Sequence, residues 1–312
     1  MKLIAGTSSQ QLAQKISDVL GVALTEPNAR NFADGEYFVE IAENVRGQDV
    51  FVIQSTSPPA NNHLMELLIT IEALRRSSAR RITAVIPYYG YARQDRKTGS
   101  RTPITAKLIA RLLETAGANR IVTADLHSNQ IQGFFNIPTD NLYCQKYLAH
   151  NLMSRIGNPD KLTIVAPDVG GVARARAFAK RLECDLAIID KRRPMPNQSE
   201  VINIVGNPAG RDCLIFDDII DTAGTLCGAA EALHQRGARS VMAACVHGVF
   251  SNPALERIDQ SPLSDVFVTN SIQPSKAALS HPRIHIACIG ELIAHAIKGI
   301  NEETSISALF ED

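Results

Sequence analysis

Asp217-Asp218-Ile219-Ile220-Asp221-Thr222-Ala223-Gly224-Thr225 decides how this chain reads. The apolar run Cys213-Leu214-Ile215-Phe216 precedes it and reads as a buried parallel strand; Leu226 to Arg236, rich in Ala and Leu, follows as a helix. Two acids therefore close a strand, and a small hydroxyl-bearing turn opens a helix. Such a turn aims backbone N–H groups and two hydroxyls at one phosphate, at the positive end of the helix dipole. Carboxylates beside it accept hydrogen bonds from vicinal sugar hydroxyls, so a sugar phosphate suits the stretch better than an inorganic anion. One acid alone would be explained by N-capping; two acids followed by D-T-A-G-T ask for more.

Outward from this stretch, apolar runs alternate with helical patterns along the chain. Strands are expected at 2–5, 49–54, 82–86, 121–125, 162–166, 186–190, 213–217, 240–247, 265–269 and 284–288. Helices are expected at 9–20, 61–77, 103–116, 142–156, 171–183, 225–236, 252–260 and 290–300. The alternation predicts an α/β fold of mainly parallel sheets flanked by helices, with ligands at the carboxyl ends of strands. Glu72-Ala73-Leu74 with Ala79-Arg80 recurs as Glu231-Ala232-Leu233 with Ala238-Arg239, an offset of 159 residues in each case (231 − 72, 238 − 79). That repeat suggests two tandem copies of one domain, 1–145 and 146–312, with the last helix and tail packing back on the first. Residues 23–48 differ: polar and apolar positions alternate around Asp34-Gly35, a hairpin signal that reads as a projecting β-flag.

The 312 residues suit two domains of ordinary size. Apolar residues make up 45% and charged residues 21%, a globular profile. Lys plus Arg equals Asp plus Glu at 32 each, which gives no sign of a nucleic-acid or membrane partner. Cys144, Cys184, Cys213, Cys227, Cys245 and Cys288 include no C-x-x-C pair, and most lie in apolar runs. They read as small buried thiols in a reducing, cytoplasmic setting. The N-terminal Met1-Lys2-Leu3-Ile4-Ala5-Gly6 is too short for a signal segment, and no apolar stretch approaches the ~20 residues of a membrane helix.

Three further constellations carry chemistry. Pro87-Tyr88-Tyr89-Gly90-Tyr91-Ala92-Arg93-Gln94-Asp95-Arg96-Lys97 leaves a strand and enters a polar loop before Pro103 starts a helix; its cations suit a mobile cover over a polyphosphate. Asp125-Leu126-His127 follows a strand, and in extended backbone its carboxylate and imidazole would face one way and share a divalent cation. Asp168, before Val169-Gly170-Gly171, is a second candidate cation ligand, although helix capping alone would also explain it. Asp190-Lys191-Arg192-Arg193-Pro194 again ends a strand, and Lys191 and Arg193 could reach one charged centre, as phosphoryl-type transfer requires. No G-x-x-x-x-G-K-[ST] occurs, which removes a P-loop NTPase.

The 217–225 stretch resembles the PRPP loop of the type I phosphoribosyltransferase fold. The ordered motifs together resemble the class I ribose-phosphate pyrophosphokinase family over essentially the whole chain. The likeness includes Asp34-Gly35-Glu36, Asn44-Val45-Arg46-Gly47, Leu64-Met65-Glu66-Leu67, Gly90 to Asp95, Asp125-Leu126-His127, Gln130 to Phe135, Asp190 to Pro194 and Ser305 to Phe310. It implies two tandem type I phosphoribosyltransferase-like domains that move pyrophosphate from ATP to the C1 hydroxyl of ribose 5-phosphate, with Mg²⁺, giving PRPP and AMP. Phe32, Asp34, Gly35, Glu36, Arg93 and Gln94 would then bind ATP. His127 and Asp168 would hold the metal, and Lys191 and Arg193 would be catalytic. Asp217, Asp218, Asp221, Thr222, Ala223, Gly224 and Thr225, with Arg193, would bind ribose 5-phosphate. Arg46, Ser77, Ser305 and Ser307 resemble the site through which phosphate and ADP regulate the family. A homohexamer is also implied, with each flag presenting Phe32 to a neighbouring subunit.

Ala223 stands where many members have Gly, Phe32-Ala33-Asp34 replaces a common Phe-Ser-Asp, and the 97–101 loop looks one residue short. Two other readings compete: a PRPP-consuming phosphoribosyltransferase, which would not need the flag, and a catalytically silent synthetase-associated protein, which would carry insertions or lost residues around 98–103.

Overall fold

The computed structural model describes residues 1–153, 155–156, 161–192 and 201–309. The chain divides into two compact units; Met1–Cys144, Ser271–Gln273 and the segment from Cys288 form the first, and Gln145–Asn270 with Pro274–Ala287 form the second.

The first unit runs β1 (Lys2–Ala5), α1 (Gln10–Leu20), β2 (Leu24–Thr25), β3 (Asn28–Asn31), β4 (Tyr37–Glu40), β5 (Asp49–Ile53), α2 (Ala60–Arg76), β6 (Arg81–Ile86), α3 (Thr105–Ala116), β7 (Arg120–Ala124) and β8 (Thr139–Leu142). Its main sheet is parallel throughout, in the order β2-β1-β5-β6-β7-β8. All five residues of β5 are buried, as expected where helices cover both faces of a parallel sheet. The second unit runs α4 (Gln145–Met153), β9 (Leu162–Ala166), α5 (Val172–Arg181), β10 (Asp185–Arg192), β11 (Val201–Val205), β12 (Asp212–Ile220), α6 (Gly224–Gln235), β13 (Ser240–Gly248), α7 (Ala254–Gln260), β14 (Leu263–Thr269), α8 (Lys276–Ser280) and β15 (Ile284–Ala287). Its order is β11-β10-β9-β12-β13-β14-β15, with only β11 antiparallel. The last helix, α9 (Gly290–Asn301), packs on α1 of the first unit, and Arg81 Nη2 donates to Ile300 O at 2.9 Å.

Setting aside the edge strand β11, the two sheets share one plan. In each, the first connection runs one way (β1 to β2, β9 to β10) and the later ones run the other (β5 to β6, β12 to β13). The order therefore reverses between β1 and β5, and between β9 and β12, which is where open α/β sheets place ligands. The repeat extends to hydrogen bonds. Arg80 Nε donates to Asp49 at 3.0 Å, as Arg239 Nε does to Asp212 at 2.7 Å. Gly47 N donates to Ser78 O at 2.9 Å, as Gly210 N does to Gly237 O at 2.8 Å.

Several boundaries shift. The antiparallel flag is β3–β4 alone, because Leu24–Thr25 joins the main sheet beside β1. Helix α3 starts at Thr105, two residues past Pro103. Strand β12 continues through Ile220, so Asp217 and Asp218 lie within it and not at its end.

Candidate active site

In the second unit, β12 runs on past its neighbour at the reversal of strand order. Strand β9 pairs with β12 only as far as Val165↔Ile215, whereas β13 accompanies β12 to Ile220↔Gly248. Asp217 and Asp218 thus ride on a strand extension supported from one side. Asp218 is buried, and the Asp217 side chain is 26% exposed. Burial, and then the neighbouring Asp218 charge, raises the Asp217 pKa above the usual carboxylate range, while Arg174 opposes the shift. Arg174 Nη1 stands 2.9 Å from Asp218 Oδ1 and 3.7 Å from Asp217 Oδ1.

Beyond the acids, Thr222, Gly224 and Thr225 are exposed and Ala223 is buried at φ +58°, the left-handed conformation that opens α6. An L-residue there costs about 1 kcal/mol or more, a strain that a glycine would not carry. Arg257 Nη1 donates to Thr222 O at 2.9 Å and braces the turn from α7. The turn and the start of a twelve-residue helix supply the amide donors and positive dipole end that a phosphate needs.

In the first unit the matching crevice is plugged by the protein itself. Counting from the paired Asp49 and Asp212, Gln54 and Ser55 occupy the register positions of Asp217 and Asp218. Both are fully buried. Gln54 Oε1 accepts from Ser8 N at 3.1 Å and Ser8 Oγ at 2.8 Å. Ser55 N donates to Ser9 Oγ at 2.9 Å, and Ser55 Oγ donates to Ser271 O at 2.5 Å.

The other sequence-predicted residues fall as follows. In the flag, Gly35 at φ +90° and the bonds Phe32 N→Glu36 O (2.8 Å) and Glu36 N→Asp34 Oδ1 (3.1 Å) form the tip. Phe32 is 44% exposed, edge-on to Phe38 at 5.9 Å, with the Arg30 guanidinium 5.4 Å from its ring centre. Arg93 and Gln94 are exposed, and Gln94 is tied to α3 through Thr105 Oγ1→Gln94 Oε1 at 2.5 Å. His127 is exposed; Asp125 is buried at φ +39°, where the backbone turns, and accepts from Cys144 N at 2.7 Å. Asp168 is exposed at the end of β9 and accepts from Gly171 N at 2.9 Å. The backbone of Lys191 pairs with Ile202 in β10–β11; its side chain, and all of Arg193, lie outside the described residues. Arg46 Nη1 donates to Ser78 Oγ at 3.2 Å, Ser77 ends α2, and Ser307 N donates to Ser305 Oγ at 3.2 Å. Sequence reasoning missed Arg30, Arg174 and Arg257, because a helical or strand arginine carries no motif of its own. Among the described residues, no group of three or more His, Cys, Asp or Glu side chains could hold a metal.

Two acids on a strand extension, an exposed helix-opening turn and a duplicated parallel sheet are features of an enzyme of the phosphoribosyltransferase-like fold. Residues 1–117 match the N-terminal domain of ribose phosphate pyrophosphokinase, and 191–311 match the phosphoribosyl synthetase-associated domain. Ribose-phosphate pyrophosphokinases of Brucella melitensis (56% identical over 311 residues) and Caulobacter vibrioides (56% over 312) each align over 100% of both chains. The phosphoribosylpyrophosphate synthetase of Mycobacterium smegmatis superposes with a TM-score of 0.91 at 42% identity, covering 97% of this chain and 99% of that one. The chain belongs to the ribose-phosphate pyrophosphokinase family. It is a pyrophosphokinase of nucleotide biosynthesis, moving pyrophosphate from ATP to the C1 hydroxyl of ribose 5-phosphate to give PRPP and AMP.

Proposed function

We propose that the open crevice of the second unit holds ribose 5-phosphate, and that the flag, Arg93 and Gln94 hold ATP. The contrast between the two crevices carries this reading: one is filled by bonded, uncharged side chains and the other presents two acids and exposed turn residues. Asp217 and Asp218 take the ribose hydroxyls, and Asp221 to Thr225 take the 5-phosphate. The C1 oxygen then attacks the β-phosphorus of ATP. An O–P bond forms, the bond from β-phosphorus to the bridging oxygen breaks, the hydroxyl proton leaves and AMP departs. Lys191 and Arg193 offset the charge that grows on the transferred and bridging oxygens.

Mg²⁺ is the fitting metal, taken by His127 and Asp168. Asp168 offers a hard oxygen held in place by Gly171 N. With few protein donors, the remaining ligands come from phosphates and water, as Mg²⁺ prefers. When bound, the ion neutralises polyphosphate charge. The domain boundary near 145, a hexamer with flags shared between subunits, and a cytoplasmic setting belong to the same reading; among the described residues no helix is long and apolar enough to cross a membrane. AMP release from ATP that depends strictly on ribose 5-phosphate tests the whole. No turnover would favour a silent associated protein, and PRPP consumption a transferase.

Asp218→Ala and Thr225→Val are expected to raise KM for ribose 5-phosphate, each lost contact costing roughly 1–3 kcal/mol. A rise confined to KM for ATP would move this loop to the nucleotide.

Arg46 and Ser78 suit a regulatory anion. Ser78 sits at φ +62°, where its repeat counterpart in the second unit is Gly237 at φ +83°. A strained serine bonded to an arginine, where glycine would serve, fits a site kept for phosphate or the β-phosphate of ADP together with Ser77, Ser305 and Ser307. Activation by phosphate and mixed inhibition by ADP are expected, both weakened in Arg46→Ala. A flat phosphate titration with strictly competitive ADP would dismiss the site.

A further inference from the structure

Arg174 lies in α5, and its Nη1 reaches both acids of the loop, at 2.9 Å from Asp218 Oδ1 and 3.7 Å from Asp217 Oδ1. Its side chain is 18% exposed and that of Asp218 5%, so water screens the contact little. One helical turn further on, Phe178 lies flat against Phe216, with ring centres 4.2 Å apart and planes 9° from parallel. Phe216 is the residue before Asp217. Apolar packing therefore registers the helix on the strand, and the guanidinium falls where that register puts it. Within the same turn-and-a-half of helix, Arg176 points outward and is exposed, so two arginines two positions apart do different work.

Adjacent carboxylates in a poorly hydrated place repel each other, and one tends to take up a proton. A carboxylic acid donates as well as accepts, which blurs its preference for a hydroxyl partner. A guanidinium nearer one acid than the other breaks that tie. It fixes Asp218 in orientation.

We infer that Arg174 is a positioning residue for the sugar end of the substrate: it aims the Asp218 carboxylate at a ribose hydroxyl and thereby sets the preference for a ribose over a 2-deoxyribose phosphate. The inference rests on the assignment of the 217–225 loop to ribose 5-phosphate. A merely structural ion pair would lower stability and leave the balance between substrates untouched.

The test is steady-state kinetics of the full-length enzyme with ATP, ribose 5-phosphate and 2-deoxyribose 5-phosphate, alongside thermal unfolding, for Arg174→Gln, Arg174→Lys and Asp218→Asn. Arg174→Gln is expected to raise KM for ribose 5-phosphate roughly ten- to a hundredfold, with a smaller change in kcat and an almost unmoved KM for ATP. The preference over the 2-deoxy sugar should fall with it. Arg174→Lys, which keeps the charge but not the planar fork, should recover part of both. If the two KM values rise together in Arg174→Gln, or only the melting temperature changes, the inference is overturned. Should Arg174→Gln not fold, Arg174→Lys decides: a KM for ribose 5-phosphate equal to that of the parent enzyme overturns it. Asp218→Asn separates this inference from the loop assignment. An unmoved KM there removes both; a raised KM there with no change in Arg174→Gln removes the role of Arg174 alone.

Discussion

Replacing Lys191 by Ala is expected to slow turnover by roughly two to three orders of magnitude while KM for either substrate moves little. The same is expected of Arg193→Ala. Strand β10 carries the Lys191 backbone past the end of its pairing with β9 at Ile188↔Ala166, where β11 pairs with it. In the proposed role this cation offsets charge that exists mainly in the transition state, so its loss should show in kcat and not in binding. Rapid-quench measurement of AMP formation at saturating substrates checks this; near-parental rates in both variants would take the pair out of the chemistry.

Phe216→Ala should have the largest effect on stability, lowering it by about 3–5 kcal/mol. The ring is fully buried and stacked on Phe178. Removing it leaves a void between β12 and α5, the two elements that bring Asp217, Asp218 and Arg174 together. Phe216→Leu keeps most of the volume and should cost much less. Denaturant titration followed by two probes, one in each unit, resolves the effect, because a chain of two units need not unfold in one step. A loss under ~1 kcal/mol in Phe216→Ala would show that other contacts hold the strand to the helix.

What the sequence made legible is what local chemistry dictates. Apolar runs such as Val50-Phe51-Val52 and Leu214-Ile215-Phe216 announced parallel strands because both sheet faces are covered. Asp34-Gly35 announced the flag because the tip needs a positive φ at Gly35. The repeat of Ala79-Arg80 in Ala238-Arg239 reflects the same arginine–aspartate clip built twice. The rest depended on tertiary partners. Thr139-Asp140-Asn141-Leu142 is polar at its first three positions and becomes β8 only because β7 offers an edge. The turn at Asp125, with its positive φ, and the bond its carboxylate accepts from the Cys144 amide depend on a residue nineteen positions on. Arg174 was invisible because nothing in Ala173-Arg174-Ala175-Arg176 tells the inward arginine from the outward one.

The plugged crevice of the first unit also bears on how this chain can change over time. Gln54 and Ser55 hold the places that Asp217 and Asp218 hold in the other copy, and every bond they make is internal. One half of a doubled scaffold thus keeps the shared architecture with no carboxylate at these two positions. Substitutions at Gln54 or Ser55 should therefore surface as failures of folding and abundance, and those at Asp217 or Asp218 as a well-folded enzyme with the wrong appetite.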